Sequence, residues 1–316
     1  MTSGHFPSIL IYSRDPESWK SWLLDHASLG NIYTASTPEE ARCLMPSAEI
    51  VLCGRVLGDL FAGAPRLRWV QSVNAGIEDL VGASSLVPHV LVTRVVDQFG
   101  GPIAEYVFAE LLARARKVEE LRELQMRQEW RQIPVGTLAG GTIGIAGTGS
   151  IGAEIARKAR AFDMKVYGMS RTKAAVPQVD RHFGPDEWLD FVHDLRVLVL
   201  ALPLTRETAS AVNVRVLRAM RQDSILVNIG RGALIVETDL IRALREGRIG
   251  GAVLDVFEHE PLPADNPLWS LPNVSVTPHI AGPTRIDSVG RLFLENLRRY
   301  TRGEPLLGVV DRARGY

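Results

Sequence analysis

Gly141-Thr-Ile-Gly-Ile-Ala-Gly-Thr-Gly-Ser-Ile-Gly152 is the stretch whose reading decides the fold. Residues 142–146 are apolar and partly β-branched, which suits a buried strand. Gly147, Gly149 and Gly152 follow at G-x-G-x-x-G spacing, and residues 153–162 then carry apolar side chains at helical spacing. Strand, glycine turn and helix in this order predict a site for the pyrophosphate of a dinucleotide. Gly147 permits the tight turn, Gly149 lets backbone approach the anion, and Gly152 lets the helix pack closely on the strand. The first N–H groups of the helix then face the phosphates. The expected contacts at the turn are Gly147, Thr148, Gly149, Ser150, Ile151 and Gly152.

The same alternation runs along the rest of the chain. Before the turn, residues 8–12, 49–53, 68–73 and 90–95 read as strands. After it, 165–169, 197–202, 225–229, 252–256 and 274–277 make, with 142–146, a set of six apolar strands suited to a doubly wound parallel sheet covered on both faces. A long helical pattern spans 103–130, and its charge run 114–117 reads as a solvated face. Residues 284–302 are again helical and are expected to return to the N-terminal domain. The class is α/β, with two Rossmann-like doubly wound domains. Residues 1–102 with 285–316 form a discontinuous, flavodoxin-like substrate-binding domain, and 103–284 the dinucleotide-binding domain.

Composition narrows the function. The 316 residues, 46% hydrophobic, can build two cores of ordinary size. Lys and Arg (36) balance Asp and Glu (36), so no basic field is present to attract nucleic acid or anionic lipid. No apolar run reaches the roughly 18 residues needed to span a bilayer, and the N-terminus lacks the shape of a signal peptide, so the expected location is the cytoplasm. Cys43 and Cys53 make no disulfide framework, suggest no metal site, and read as packing residues.

Three ionisable residues fall just beyond successive strands of the second domain, where an open parallel sheet places its ligand: Arg231, Glu260 and His279. When hydride reaches a carbonyl carbon, the oxygen develops negative charge and needs both stabilisation and a proton. Imidazole ordinarily titrates near about pH 6.5, and a neighbouring carboxylate favours its charged form and orients the ring. Arginine holds a carboxylate or carbonyl oxygen through a planar fork of donors. Each residue alone has a structural reading; together they predict acid–base chemistry beside a nicotinamide.

The segments Val227-Asn-Ile-Gly-Arg-Gly232, Asp255-Val-Phe-Glu-His-Glu-Pro261, Thr277-Pro-His-Ile-Ala-Gly282 and Leu202-Pro-Leu-Thr205, with the glycine turn, resemble the D-isomer-specific 2-hydroxyacid dehydrogenases over nearly the whole chain. The branch most similar is that of the glyoxylate and hydroxypyruvate reductases. The resemblance implies an active site in the cleft between the domains, with Arg231 binding and polarising substrate, His279 as general acid or base, and Glu260 tuning His279. It further implies that Leu202 and Pro203 pack beside the cofactor and that Asp255 lies near the nicotinamide amide group. Backbone amides of the 72–77 loop, around Asn74, Ala75 and Gly76, would grip the substrate carboxylate; a simple turn fits the loop almost as well. A homodimer is the usual assembly of the family.

NAD-selective forms of the fold carry Asp or Glu about 20 residues past the glycine turn. Here Ser170, Arg171, Thr172 and Lys173 stand there, a set suited to a 2′-phosphate. NADP is therefore the expected cofactor, with NAD acceptable if the turn is merely solvated. The expected activity is reduction of a small 2-oxo acid to the D-2-hydroxy acid. Alternatives are a dinucleotide-sensing, corepressor-like binding protein and a phosphite-type dehydrogenase; Glu260 disfavours formate, whose enzymes typically have glutamine there. Trp269 reads equally as a pocket wall or a core aromatic.

Overall fold

The computed structural model describes residues 6–54, 56, 58–172 and 176–312. The chain divides into two compact units, Met1–Gln98 with Thr284–Tyr316, and Phe99–Pro283. The part up to Gln98 contains β1 (Ile9–Tyr12), α1 (Pro16–His26), β2 (Ile32–Ala35), α2 (Pro38–Leu44), β3 (Ile50–Cys53), β4 (Trp69–Ser72), α3 (Glu78–Val81) and β5 (Leu91–Thr93). The second unit begins with α4 (Gly100–Ala115), α5 (Val118–Met126), β6 (Thr142–Ala146), α6 (Ser150–Ala161), β7 (Lys165–Met169), β8 (Arg181–Phe183) and α7 (Trp188–Val192). It continues with β9 (Val197–Leu200), α8 (Val214–Ala219), β10 (Ile225–Asn228), α9 (Glu237–Arg245), β11 (Gly251–Leu254) and β12 (Val274–Val276); α10 (Ile286–Arg302) then rejoins the first unit.

All strands of the second unit pair in parallel, in the order β12-β11-β10-β9-β6-β7-β8. The winding reverses between β6 and β9, and such a switch point opens the crevice in which these sheets bind ligands. Strands β9 and β11 are buried at every position, as expected of strands with both faces covered. The sheet has seven strands rather than six: β8, Arg181-His-Phe183, is only three residues long and begins on a charged side chain, so its apolar signal is weak. The helical pattern at 103–130 proves to be two helices. The chain turns at Arg116 and Lys117, where Lys117 adopts a left-handed φ of 50°. Arg114 departs from the solvated face expected of it. It is partly buried, and its guanidinium donates to the carbonyls of Ala252 and Asn273 and to the Ser275 hydroxyl, tying α4 to β11 and β12.

In the first unit the parallel order is β2-β1-β3-β4-β5, the flavodoxin-like arrangement. Strand β2, Ile32-Tyr-Thr-Ala35, lies at the sheet edge; its half-exposed positions left no apolar run to read. Local chemistry sets the helix starts. The Asp15 carboxylate accepts the Ser18 N–H at the start of α1, and Thr37 and Glu40 form a reciprocal capping box on α2. Cys53 is buried in β3, and burial pushes its thiol up to about 12. Cys43, expected to be a packing residue, is instead exposed on α2.

A buried polar chain fastens α10 to this sheet. Trp69 Nε1 donates to Thr93 Oγ1, and Thr93 Oγ1 donates to Gln71 Oε1. Asn296 on α10 donates to the same Gln71 oxygen at 3.1 Å and to the Leu307 carbonyl, and accepts the Leu307 N–H at 2.7 Å. Phe293 and Tyr300 stack on Trp69 at 5.3 and 5.7 Å. Gln71 also donates to the carbonyl of Ser72, so the clamp reaches the first residue of the 72–77 loop. Asn296→Leu keeps roughly the volume but leaves Gln71 Oε1 with the Thr93 hydroxyl alone and strands both Leu307 groups, and is expected to cost about 2–3 kcal/mol of unfolding free energy. Urea unfolding of the variant and the wild type measures the difference.

Candidate active site

Each glycine of the turn at the end of β6 has a physical reason. Gly147 takes φ +100°, and a Cβ there would lie 2.5 Å from the carbonyl oxygen of Ala201, which follows the neighbouring strand β9. A Cβ on Gly152 would collide with the carbonyl oxygen of Gly147, so α6 can pack this closely only on a bare backbone. Gly149 is different. It caps α6, and a Cβ there would meet nothing within 4 Å, which leaves room for a ligand beside the first turn of the helix. Thr148, Ser150 and Ile151 complete the turn, and Ser150 is exposed.

At the end of β7, Ser170 donates its N–H to Phe183 of β8, and Arg171 and Thr172 follow, both exposed. These two residues line a cavity of about 330 Å³ together with Gly184, Pro185, Asp186 and Glu187. Glu187 turns its carboxylate to the Gly184 N–H. The Thr205 hydroxyl foremost, and more weakly Arg206 and Arg171, hold the Glu207 carboxyl below its usual range, which brings Arg171 within electrostatic reach of the segment after Leu202 and Pro203. Lys173 lies outside the described residues.

Arg231, Glu260 and His279 follow β10, β11 and β12, three strands that are neighbours in the sheet. The β10 turn is held by Asn228, whose side chain donates to the Arg231 carbonyl and accepts the Gly230 N–H. Gly232 must lack a side chain because its Cβ would collide with the peptide joining Phe257 to Glu258, so the Arg231 turn packs directly on the loop that carries Glu260. Glu260 accepts the Phe257 N–H through Oε1 and meets His279 Nδ1 at 2.9 Å through Oε2. An ionised carboxylate can only accept, so Nδ1 carries the hydrogen and Nε2 is the ring nitrogen left for other chemistry. The His279 side chain is 53% exposed, so the pair adds little to stability; its effect is to orient the ring.

Asp255 is 2% exposed, and its carboxylate accepts from the Thr277 hydroxyl and from the N–H groups of Ile280 and Ala281. This grip on the His279 loop could not be read from residue type alone. Trp269 is not a core aromatic: it is 54% exposed, and its indole N–H donates to the Pro263 carbonyl. In the first unit, the Asn74 N–H is taken by the Ser72 hydroxyl and its side chain donates to the Gly54 carbonyl. Neither Asn74 nor Gly76 takes a positive φ. Among the described residues no group of His, Cys, Asp or Glu is placed to hold a metal ion, and no helix is long and apolar enough to cross a membrane.

Comparison with known proteins gives this geometry its context. A family model for the D-isomer specific 2-hydroxyacid dehydrogenase NAD binding domain matches residues 108–281. The chain belongs to the D-isomer specific 2-hydroxyacid dehydrogenase family. It is 34% identical over 256 residues to glyoxylate/hydroxypyruvate reductase A of Klebsiella pneumoniae, covering 79% of this chain and 82% of that protein. The structure of a family member from Aeromonas salmonicida superposes with a TM-score of 0.91 at 36% identity, covering 98% of this chain and all of the other. An NADPH-dependent glyoxylate/hydroxypyruvate reductase from Sinorhizobium meliloti, solved with NADP and sulfate, gives 0.89 at 29% identity over the same shares. As a D-isomer specific 2-hydroxyacid dehydrogenase the chain is an oxidoreductase, and the glycine turn, the Arg171 cavity and the Arg231, Glu260 and His279 cluster all fall within the matched NAD-binding region. Gly147→Ala is expected to weaken binding of the reduced dinucleotide about ten-fold or more, since the turn must open to admit the methyl group. A cofactor fluorescence titration reads the loss.

Proposed function

We propose that this dehydrogenase reduces a small 2-oxo acid of the glyoxylate or hydroxypyruvate type to the D-2-hydroxy acid, with NADPH preferred over NADH. The observation that carries the reading is the His279–Glu260 pair at 2.9 Å on the strand ends adjoining that of Arg231, in the sheet that bears the glycine turn. The similarity to proteins named glyoxylate/hydroxypyruvate reductase supports the substrate class, and the relatives solved with NADP or NADPH support the cofactor.

The residues fit a dinucleotide: open space beside Gly149 faces the first turn of α6, and Arg171 with Thr172 borders a cavity of about 330 Å³ at the neighbouring strand end, where a cation pairs with a 2′-phosphate. When bound, the reduced nicotinamide supplies hydride to the substrate carbonyl carbon. Arg231 holds the substrate and polarises its carbonyl, so charge developing on oxygen meets a fixed cation. His279 delivers a proton from Nε2 to that oxygen, while Glu260 on Nδ1 keeps the ring aimed. In the reverse direction the same nitrogen takes the proton from the hydroxyl. Ala75 and Gly76, with Asn74, are proposed to meet the substrate carboxylate, and Asp255 to lie near the nicotinamide amide with Leu202 and Pro203 beside the ring.

Assembly as a homodimer and residence in the cytoplasm complete the reading. Exposed apolar side chains after α4, with Met126 at 84% and Trp130 fully exposed, support a protein contact on that segment.

Assays of NADPH and NADH oxidation with glyoxylate, hydroxypyruvate, pyruvate and bulkier 2-oxo acids test the whole reading; binding of NADPH without turnover of any of them would identify a dinucleotide-sensing protein instead. His279→Gln is expected to lower kcat by about 10²-fold or more at near-normal NADPH affinity. Arg171→Ala is expected to raise KM for NADPH about ten-fold while leaving NADH nearly unchanged. Equal losses for the two cofactors would contradict the 2′-phosphate assignment.

A further inference from the structure

We propose that Tyr106 and Thr277 form, with Asp255, a positioning relay that holds the His279 turn in its working conformation. The inference rests on the acid–base reading of His279. His279 adopts φ +56°, a left-handed conformation that is unfavourable for a residue with a Cβ and persists only where neighbours enforce it. The enforcing contacts surround it. Its own N–H donates to the carbonyls of Asp255 and Thr277, and the N–H groups of the next two residues, Ile280 and Ala281, donate to separate oxygens of the Asp255 carboxylate, each at 2.9 Å. The orientation of this one buried carboxylate therefore sets the path of the backbone on which the imidazole hangs.

The carboxylate is held in turn by Thr277, whose hydroxyl donates to Asp255 Oδ1 at 2.7 Å. A hydroxyl has a single hydrogen, so the contact of 2.7 Å between Tyr106 and Thr277 runs the other way: the phenol donates and Thr277 Oγ1 accepts. The relay thus has one direction, from Tyr106 on α4 through Thr277 to Asp255, and from there to the two amides that follow His279. Burial, with the Asp255 charge a lesser cause, pushes the Tyr106 phenol above its usual range, so it stays a donor throughout the working pH range. Neither Tyr106 nor Thr277 supplies a proton or a charge to the reaction; each acts through the geometry of His279.

Four variants test the relay, with His279→Gln assayed in parallel. Thr277→Val is expected to lower kcat about 30-fold, with NADPH affinity and melting temperature little changed, because small displacements of a reacting group are costly. Thr277→Ser is expected to restore most of the loss. Tyr106→Phe is expected to lower kcat about five-fold, and that factor should vanish when Tyr106→Phe is added to Thr277→Val, as required of residues acting in series. Unchanged kcat in Thr277→Val and Tyr106→Phe, losses matched by equal losses in NADPH affinity, or a Tyr106→Phe penalty that persists beside Thr277→Val would each overturn the relay. If His279→Gln kept its turnover, the acid–base reading itself would fail; if it lost turnover while Thr277→Val did not, the relay alone would fail.

Discussion

One buried carboxylate organises this site. Asp255 stands at the end of β11, in the middle of the three strands whose ends carry Arg231, Glu260 and His279. Burying a charge is costly unless donors surround it, and here the donors are the hydroxyl of Thr277 and the amides of Ile280 and Ala281. The same bonds that make the buried charge tolerable fold the segment after β12 into the turn that carries His279. Stability of the loop and aim of the His279 ring are one constraint.

Around that centre the parallel sheet does the assembling. Every strand end of the second unit points the same way, so residues far apart in the chain meet at one edge, and the switch point between β6 and β9 divides the work. On the β6 and β7 side lie the glycine turn and Arg171; on the β10, β11 and β12 side lie the ionisable groups. Close backbone contact keeps the second group together: Gly232 packs against the Phe257–Glu258 peptide, and Glu260 is fixed through the Phe257 N–H before it reaches His279.

Much of this was legible in the sequence, for reasons that can be named. The strands of a parallel sheet buried on both faces are apolar runs, and the glycine turn has a spacing that backbone geometry demands. Ionisable residues two to four positions past an apolar run stand out against it, which is why Arg231, Glu260 and His279 could be singled out. The short edge strands β2 and β8 were not legible, because half-exposed residues leave no run. The break at Lys117 was missed because helical periodicity continues on either side of it. The grip of Asp255 on the His279 loop, the burial of Arg114 and the contact between Tyr106 and Thr277 depend on tertiary partners 22 to 171 positions away, which no local pattern reports.

The most direct measurement is a crystal structure with NADPH and oxamate, an unreactive mimic of a small 2-oxo acid. The expected result is an oxamate oxygen within hydrogen-bond distance of both His279 Nε2 and the Arg231 guanidinium, with Nδ1 still on Glu260 and the His279 turn still held by Asp255. Oxamate bound away from either group, or a His279 ring turned off Glu260 in the complex, would contradict the account.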